Sequence, residues 1–485
     1  MNPNVLIFFC DQLRVDLLGC YGGHMVRTPN IDELANSSVV FENAYTPISL
    51  CSPARASLMT GLYPHAHHMF NNSTPRYSYC QHLRPELIMI QDWIAENTNY
   101  ETAYFGKWHI GPLSDLFKSR FHHTRKNYPD APGYPGHPNL NKLGPLVRNV
   151  AEGKAGTVDI PMEGFPDVSV ANLTRKFLST RDKNRPFMAF CAFPGPHQPW
   201  IVPQEFGIRY DSKDIPMWPN RYDSFEDKPI NQKKLRLLQC SKEAYISKYY
   251  TQDDDILREL LACCFSYIEL IDDLVGKVIE KLKFLNLFDN TTVIFTADHG
   301  DMAGSHGFFT KGAYMYEETY HIPLIIKPAG YSGSKRTKTL VNLLDVTATI
   351  LHTLAGNEKM ALGQQELHGR SLIPLINGSE DWPRKVHYAQ YHGDWYGHYS
   401  ARMVTDAHWK LVWNLTDLCE LYDLANDPGE LKNLFYNKSF KNTRDRYFEQ
   451  LIEEGKRLSD GHILMYVPKV EDTLSHSLVG PLSFE

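Results

Sequence analysis

Five short, almost wholly apolar runs recur along the chain: Val5–Phe9, Thr102–Phe105, Phe187–Phe193, Thr292–Thr296 and Pro323–Ile326. A strand that alternates polar and apolar residues has one wet face. A strand that is apolar throughout must be covered on both, which is the condition of a central strand in an α/β protein. Helical periodicity fills the intervals, at Glu86–Glu96, Val170–Thr180, Asp255–Phe284 and Leu343–Leu354. Strands alternating with helices predict a large mixed, mostly parallel sheet sandwiched by helices. The pattern changes near residue 380. Val386–Tyr391, Ser400–Val404, His408–Trp413 and Glu420–Leu424 are closely spaced strand candidates, followed by a helix at Asn442–Leu458. A catalytic α/β domain over 1–380 and a C-terminal subdomain with a small antiparallel sheet and helix over 381–485 are therefore expected. The 485-residue length suits one large domain plus an appendage.

Charge and cysteine content narrow the function classes. With a net charge of −6, nothing in the composition suggests a nucleic-acid binder, which would show a basic domain or stripe. No apolar run approaches bilayer length, and the N-terminus lacks a basic region and a small-residue cleavage site. The chain reads as cytoplasmic, although one trimmed of a signal peptide would look the same. Nothing in the residues sets an oligomeric state. The nine cysteines are odd in number and form no CxxC pair, which argues against a disulfide framework and a zinc cage. Most are expected to be small buried hydrophobes.

Open α/β sheets bind ligands beyond the carboxyl ends of their strands, so the strand exits deserve inspection. The first exit carries Asp11 and Gln12, a carboxylate and a carbonyl oxygen suited to a hard cation. Another reads Thr296-Ala-Asp298-His299-Gly300-Asp301. Two such pairs could converge on one metal, yet an Asp after a strand is more often a turn former or helix cap. A third segment, Cys51-Ser52-Pro53-Ala54-Arg55, reads as a helix start with Ser52 as N-cap and Pro53 as first helical residue. That would hold Cys51 at the positive end of a helix, a position that lowers a thiol pKa and favours anions.

Cys51-x-Pro-x-Arg55 followed by Ala-Ser-Leu-x-Thr-Gly61 resembles the signature of the formylglycine-dependent sulfatases, of alkaline phosphatase-like fold. Further resemblances follow in the family's order: Thr28-Pro-Asn-Ile-Asp32, Phe41-Glu-Asn-Ala-Tyr45, Gly106-Lys107-Trp-His109, and Glu420-Leu-Tyr422-Asp through Gly429. The resemblance implies that a maturation enzyme converts Cys51 to formylglycine. Asp11, Gln12, Asp298 and His299 would bind one divalent cation, Ca²⁺ first, with Mn²⁺ or Mg²⁺ as alternatives. Many family members have Asp in place of Gln12 and Asn in place of His299, and the variants found here also occur in the phosphonate monoester hydrolase branch of the superfamily.

By the same resemblance the formylglycine hydrate attacks sulfur, while Arg55 and Lys107 hold the nucleophile and the sulfate oxygens. His109 takes a proton to expel sulfate, His197 protonates the leaving oxygen, and Lys311 binds the sulfate. The substrate would be a sulfate ester of a carbohydrate or of another small organic molecule; the alternative is a phosphonate monoester or phosphodiester hydrolase of the same superfamily. His67, Asn72, Asp394 and Trp395 are candidates for contacting the rest of the substrate, since they follow the nucleophile helix or sit in an aromatic-rich loop.

Overall fold

The structure is a computed structural model that describes residues 2–73, 80–124, 126, 146–150, 155–240, 253–356, 361–379, 381–394 and 397–465. An eight-stranded sheet runs through the larger part in the order Lys335–Asn342, Val39–Tyr45, Leu324–Lys327, Thr291–Ala297, Asn4–Cys10, Phe187–Phe193, Glu101–Gly106 and His123–Thr124. Neighbours pair in parallel except at Leu324–Lys327, which is antiparallel to both its partners. The continuous apolar runs are central, as their composition requires. In the first strand Val5, Ile7 and Phe9 enter one core while Leu6, Phe8 and Cys10 enter the other. The first core is closed by Cys51–Thr60, Ile90–Asn97 and Leu343–Ala355; the second by Pro29–Asn36, Pro166–Thr180 and the long Asp254–Phe284 helix. Each fully buried large apolar side chain contributes about 1.5–3 kcal/mol.

The helices obey local rules. Asp253 caps the long helix by accepting from the backbone N–H of Asp255 at 2.9 Å, and Lys281 and Lys283 close its last turn against the dipole. The expected helix at Glu86 instead begins at Ile90. Leu87 N–H bonds back to Arg84 in a separate turn, and Met89 is extended. The Cys51 helix begins earlier than expected. Leu50 is its extended N-cap, and the first intrahelical bond runs from Ala54 N–H to Leu50 at 3.0 Å. Pro53 is thus the third helical residue, where the absent N–H has no intrahelical acceptor to miss. Ser52 does not cap; its backbone N–H donates to Asn72 Oδ1 at 3.0 Å.

A four-stranded antiparallel sheet, His387–Tyr391, Ala401–Thr405, Trp409–Asn414 and Glu420–Asp423, follows in sequence order and packs against the Lys441–Arg457 helix. Its link to the larger part is partly polar. Gln390 N–H donates to Pro47, and buried Lys410 pairs with Glu317 and Glu430 at 2.8 Å each. A three-stranded sheet of Leu146–Val150, Ala155–Val158 and Trp200–Pro203 flanks the long helix.

Candidate active site

The parallel register levels the ends of the central strands. Cys10 pairs with Phe193 and with Ala297, and Gly106 with Ala192. Asp11, Asp298, Lys107 and the loop carrying His197 therefore leave the sheet at one edge. Gly106 permits this. Its φ is +113°, and a Cβ there would lie 1.8 Å from the Ala192 carbonyl, whose oxygen accepts from Lys107 N–H at 2.9 Å.

The Cys51–Thr60 helix points its first turn at this edge. Cys51 is fully buried, with Sγ 3.7 Å from Asp11 Oδ1 and 3.2 Å from His299 Nε2. Ligand atoms of Asp11, Cys51, Asp298 and His299 all lie within 4.8 Å of one another. Arg55, one turn along, is wholly buried. Its Nε bonds Asp298 Oδ2 at 2.9 Å, one terminal nitrogen bonds Asp11 Oδ2 at 3.0 Å, and the other bonds the Lys107 carbonyl at 2.8 Å. Lys107 Nζ pairs with the same Asp11 oxygen. The sulfur also interacts with the side chains of His109, His197 and Lys311. All nine of these expected residues thus meet around position 51.

The charges set the titration behaviour. Burial alone would raise the Cys51 thiol, but Lys107, Lys311 and His299 draw it well below the ordinary value. Against burial and the nearby sulfur, Lys107 and Arg55 hold the Asp11 carboxyl well below the usual range. Burial and Asp11 push Asp298 up to about 6, against the pull of His299 and Arg55. Burial and Lys107 push His109 down to about 4, and burial with Lys311 and Lys107 lowers His197.

The remaining expected residues are placed differently. Gln12 flanks the cluster, with its backbone N–H on Asp298 Oδ1 at 3.0 Å and its amide oxygen accepting from Lys311. Asn72 accepts from the first turn of the Cys51–Thr60 helix and donates to Asp394 Oδ2 at 3.0 Å, tying that loop to the helix. Burial pushes Asp394 up to about 7, with Lys311 pulling the other way. His67 departs from expectation. It is wholly buried behind the helix, with Nε2 2.9 Å from Ser57 Oγ and Nδ1 accepting from Met69 N–H at 3.1 Å, so both nitrogens are engaged and no face is left for a substrate. Trp395 lies outside the described residues.

Sequence reasoning missed the support of the site. Asp167, on the Pro166–Thr180 helix, accepts from Gly195 N–H at 2.9 Å and from Tyr267 at 2.7 Å. Gly195 in turn receives the N–H of Asp11 at 3.1 Å. A Cβ at Gly195 would meet the Tyr267 ring at 2.5 Å, so the glycine lets these groups close on the loop that carries His197. Gln198 and Asp301 were equally unassigned, although Gln198 adjoins His197 and Asp301 lies two residues beyond His299.

The sulfatase family profile matches residues 3–356, which hold every one of the nine side chains gathered at Cys51. This chain belongs to the sulfatase family. It is a sulfuric ester hydrolase, and residues 304–457 match a second profile, that of the N-sulphoglucosamine sulphohydrolase C-terminal region. Among relatives of this sulfatase, a choline-sulfatase of Rhizobium meliloti is 29% identical, over 90% of this chain and 83% of the relative. A Delta 4,5-hexuronate-2-O-sulfatase of Bacteroides thetaiotaomicron is 27% identical, over 95% and 89%. The solved structure of a phosphonate monoester hydrolase from Silicibacter pomeroyi shares the fold at a TM-score of 0.76 and 23% identity, covering 96% of this chain and 97% of that one.

Proposed function

We propose that this sulfatase hydrolyses the sulfate ester of a small sulfated carbohydrate, using formylglycine at position 51 and one divalent cation. The observation that carries the reading is the burial of the Cys51 side chain in one cluster with Asp11, Asp298 and His299, ringed by Arg55, Lys107 and Lys311. The sugar preference draws on the hexuronate-sulfatase relative.

The donor set fits a cation. Two buried carboxylates supply anionic oxygens, Gln12 a neutral one, and His299 a nitrogen. His299 Nδ1 donates to the Gly300 carbonyl at 2.8 Å, which leaves the Nε2 lone pair facing Cys51. The mixture of oxygen and nitrogen suits Mn²⁺ or Mg²⁺ as well as Ca²⁺. When bound, the cation supplies positive charge that favours an ionised hydroxyl on the hydrated aldehyde and offsets sulfate oxygens. Arg55 fixes both carboxylates and so their separation. Lys107 and Lys311 bring positive charge to the side of residue 51 where charge develops on the departing oxygens. His109, held neutral near pH 7, is the base for a proton of the hydrated aldehyde. At the leaving-group end, Lys311 Nζ lies 3.0 Å from His197 Nε2, and His197 Nδ1 lies 2.6 Å from the Gln198 carbonyl. This pair is placed to deliver a proton to the departing alkoxide.

Turnover of an aryl sulfate compared with an aryl phosphonate tests the reaction class. Faster sulfate hydrolysis is expected; a phosphonate preference would favour the second reading, which Gln12 and the Asp298-His299 pair support. Chelation should remove activity and lower the melting temperature, because two buried carboxylates lose the charge between them. Mn²⁺ or Ca²⁺ should restore both in a melting and activity assay. Retention of full activity after exhaustive chelation would contradict the cation site.

A further inference from the structure

Gln12 raises a problem of orientation. A carboxylate offers oxygen whichever way it turns, whereas an amide offers oxygen at one end and a donor nitrogen at the other. The residue is buried and its backbone is left-handed, with φ +63°. Both hydrogens of its amide nitrogen are spoken for: Nε2 donates to Gln198 Oε1 at 2.7 Å and to Asp301 Oδ2. Asp301 Oδ2 also accepts from Gln198 Nε2 at 2.8 Å. Its other oxygen, Oδ1, takes the backbone N–H of Ala303 at 2.7 Å and of Thr310 at 2.9 Å. Four N–H groups therefore converge on one carboxylate that is 3% exposed. Only one orientation of the Gln12 amide satisfies this arrangement. Reversed, it would set oxygen against carboxylate and NH₂ against the Lys311 ammonium.

We propose that Asp301 is a positioning residue that selects which end of the Gln12 amide faces the catalytic centre, keeping Oε1 inward for the cation and for Lys311. The inference rests on the cation site proposed above, and deepens it by naming what makes a glutamine serviceable there.

Asp301→Asn tests it because the backbone decides how the new amide lies. The Ala303 and Thr310 N–H groups need an acceptor, so the asparagine oxygen takes the Oδ1 place. Its Nδ2 then confronts the Gln12 and Gln198 nitrogens, donor against donor. In the Asp301→Asn, Gln12→Glu double variant, that Nδ2 donates to the new carboxylate and an oxygen again faces inward. Mn²⁺ affinity of the unmodified protein is read by titration calorimetry, with melting temperature as a check on folding. Asp301→Asn is expected to weaken Mn²⁺ binding about 10–100-fold, the usual cost of losing a partner behind a metal ligand. The double variant should regain at least about tenfold of this, while Gln12→Glu alone, facing the Asp301 carboxylate, should gain nothing. In the mature enzyme kcat/KM should follow the same order. Binding by Asp301→Asn as tight as wild type, a double variant no better than the single, or an equal gain from Gln12→Glu in both backgrounds would overturn the proposal. If sulfate esters prove not to be substrates while the Mn²⁺ cycle behaves as stated, the function reading fails and the positioning role stands.

Discussion

Cys51→Ala should lower turnover of a sulfate ester by at least about 10³-fold, the scale seen when a covalent nucleophile is removed, and should leave the fold standing. The two halves of this expectation come from the same position. Residue 51 is fully buried at the first turn of the Cys51–Thr60 helix, and alanine is the best helix former. Removing one sulfur leaves a small void, a cost of about 1 kcal/mol. It also removes the group toward which Lys107, Lys311 and His299 are turned. Without a side chain that can become an aldehyde, the acid and base proposed at His197 and His109 would have no nucleophile to serve. Circular-dichroism melting alongside a sulfatase assay checks both halves. A variant that melts normally and retains a tenth of wild-type turnover would remove residue 51 from the mechanism.

Arg402→Met should cost about 3–5 kcal/mol of stability, because it strands a buried carboxylate. Arg402 and Asp460 are both wholly buried. Arg402 Nε donates to Asp460 Oδ2 at 2.6 Å and a terminal nitrogen to Oδ1 at 3.1 Å. Tyr388, Gln390 and the His462 backbone N–H donate to the same carboxylate at 2.8, 2.6 and 3.0 Å, so one carboxylate ties two strands, His387–Tyr391 and Ala401–Thr405, to the chain beyond the Lys441–Arg457 helix. Although burial opposes it, Arg402 holds the Asp460 carboxyl well below the usual range. A carboxyl depressed in the folded state adds stability that is present above its unfolded value of about 4 and is lost as pH falls toward the folded value. The wild type should therefore lose stability on acidification below about pH 4, and Arg402→Met should lose much of that dependence. Denaturant titrations at neutral and acid pH measure both. An unchanged midpoint at neutral pH would show the pair to be dispensable.

The central strands were legible because burial on both faces leaves an unbroken apolar run: Asn4–Cys10, Glu101–Gly106 and Thr291–Ala297 each extend the expected run by one residue at either end, Phe187–Phe193 matches it, and Leu324–Lys327 is displaced from it by one residue. Direction was not legible. Leu324–Lys327 is as apolar as its neighbours, and nothing in its composition says that it runs against them. Val39–Tyr45 went unrecognised because Glu42 and Asn43 interrupt it, and Lys335–Asn342 because its outer half alternates in exposure as an edge strand does. At the site, reading past strand ends found Asp11 and Asp298, since parallel register brings such exits level. Asp301 was invisible as a support. Its role arises only when the chain folds back to place the Ala303 and Thr310 amides on one oxygen and two glutamine side chains on the other. His67 is placed otherwise than expected because following the Cys51 helix in sequence says nothing about which side of that helix the ring will enter.

The most direct measurement is turnover of a sulfate ester set against the fraction of chains bearing formylglycine at position 51, counted by peptide mass spectrometry across preparations made with and without the maturation enzyme. Turnover per total chain should rise in proportion to that fraction and extrapolate to zero where residue 51 is still cysteine. Equal turnover from chains that carry only cysteine at position 51 would contradict the account.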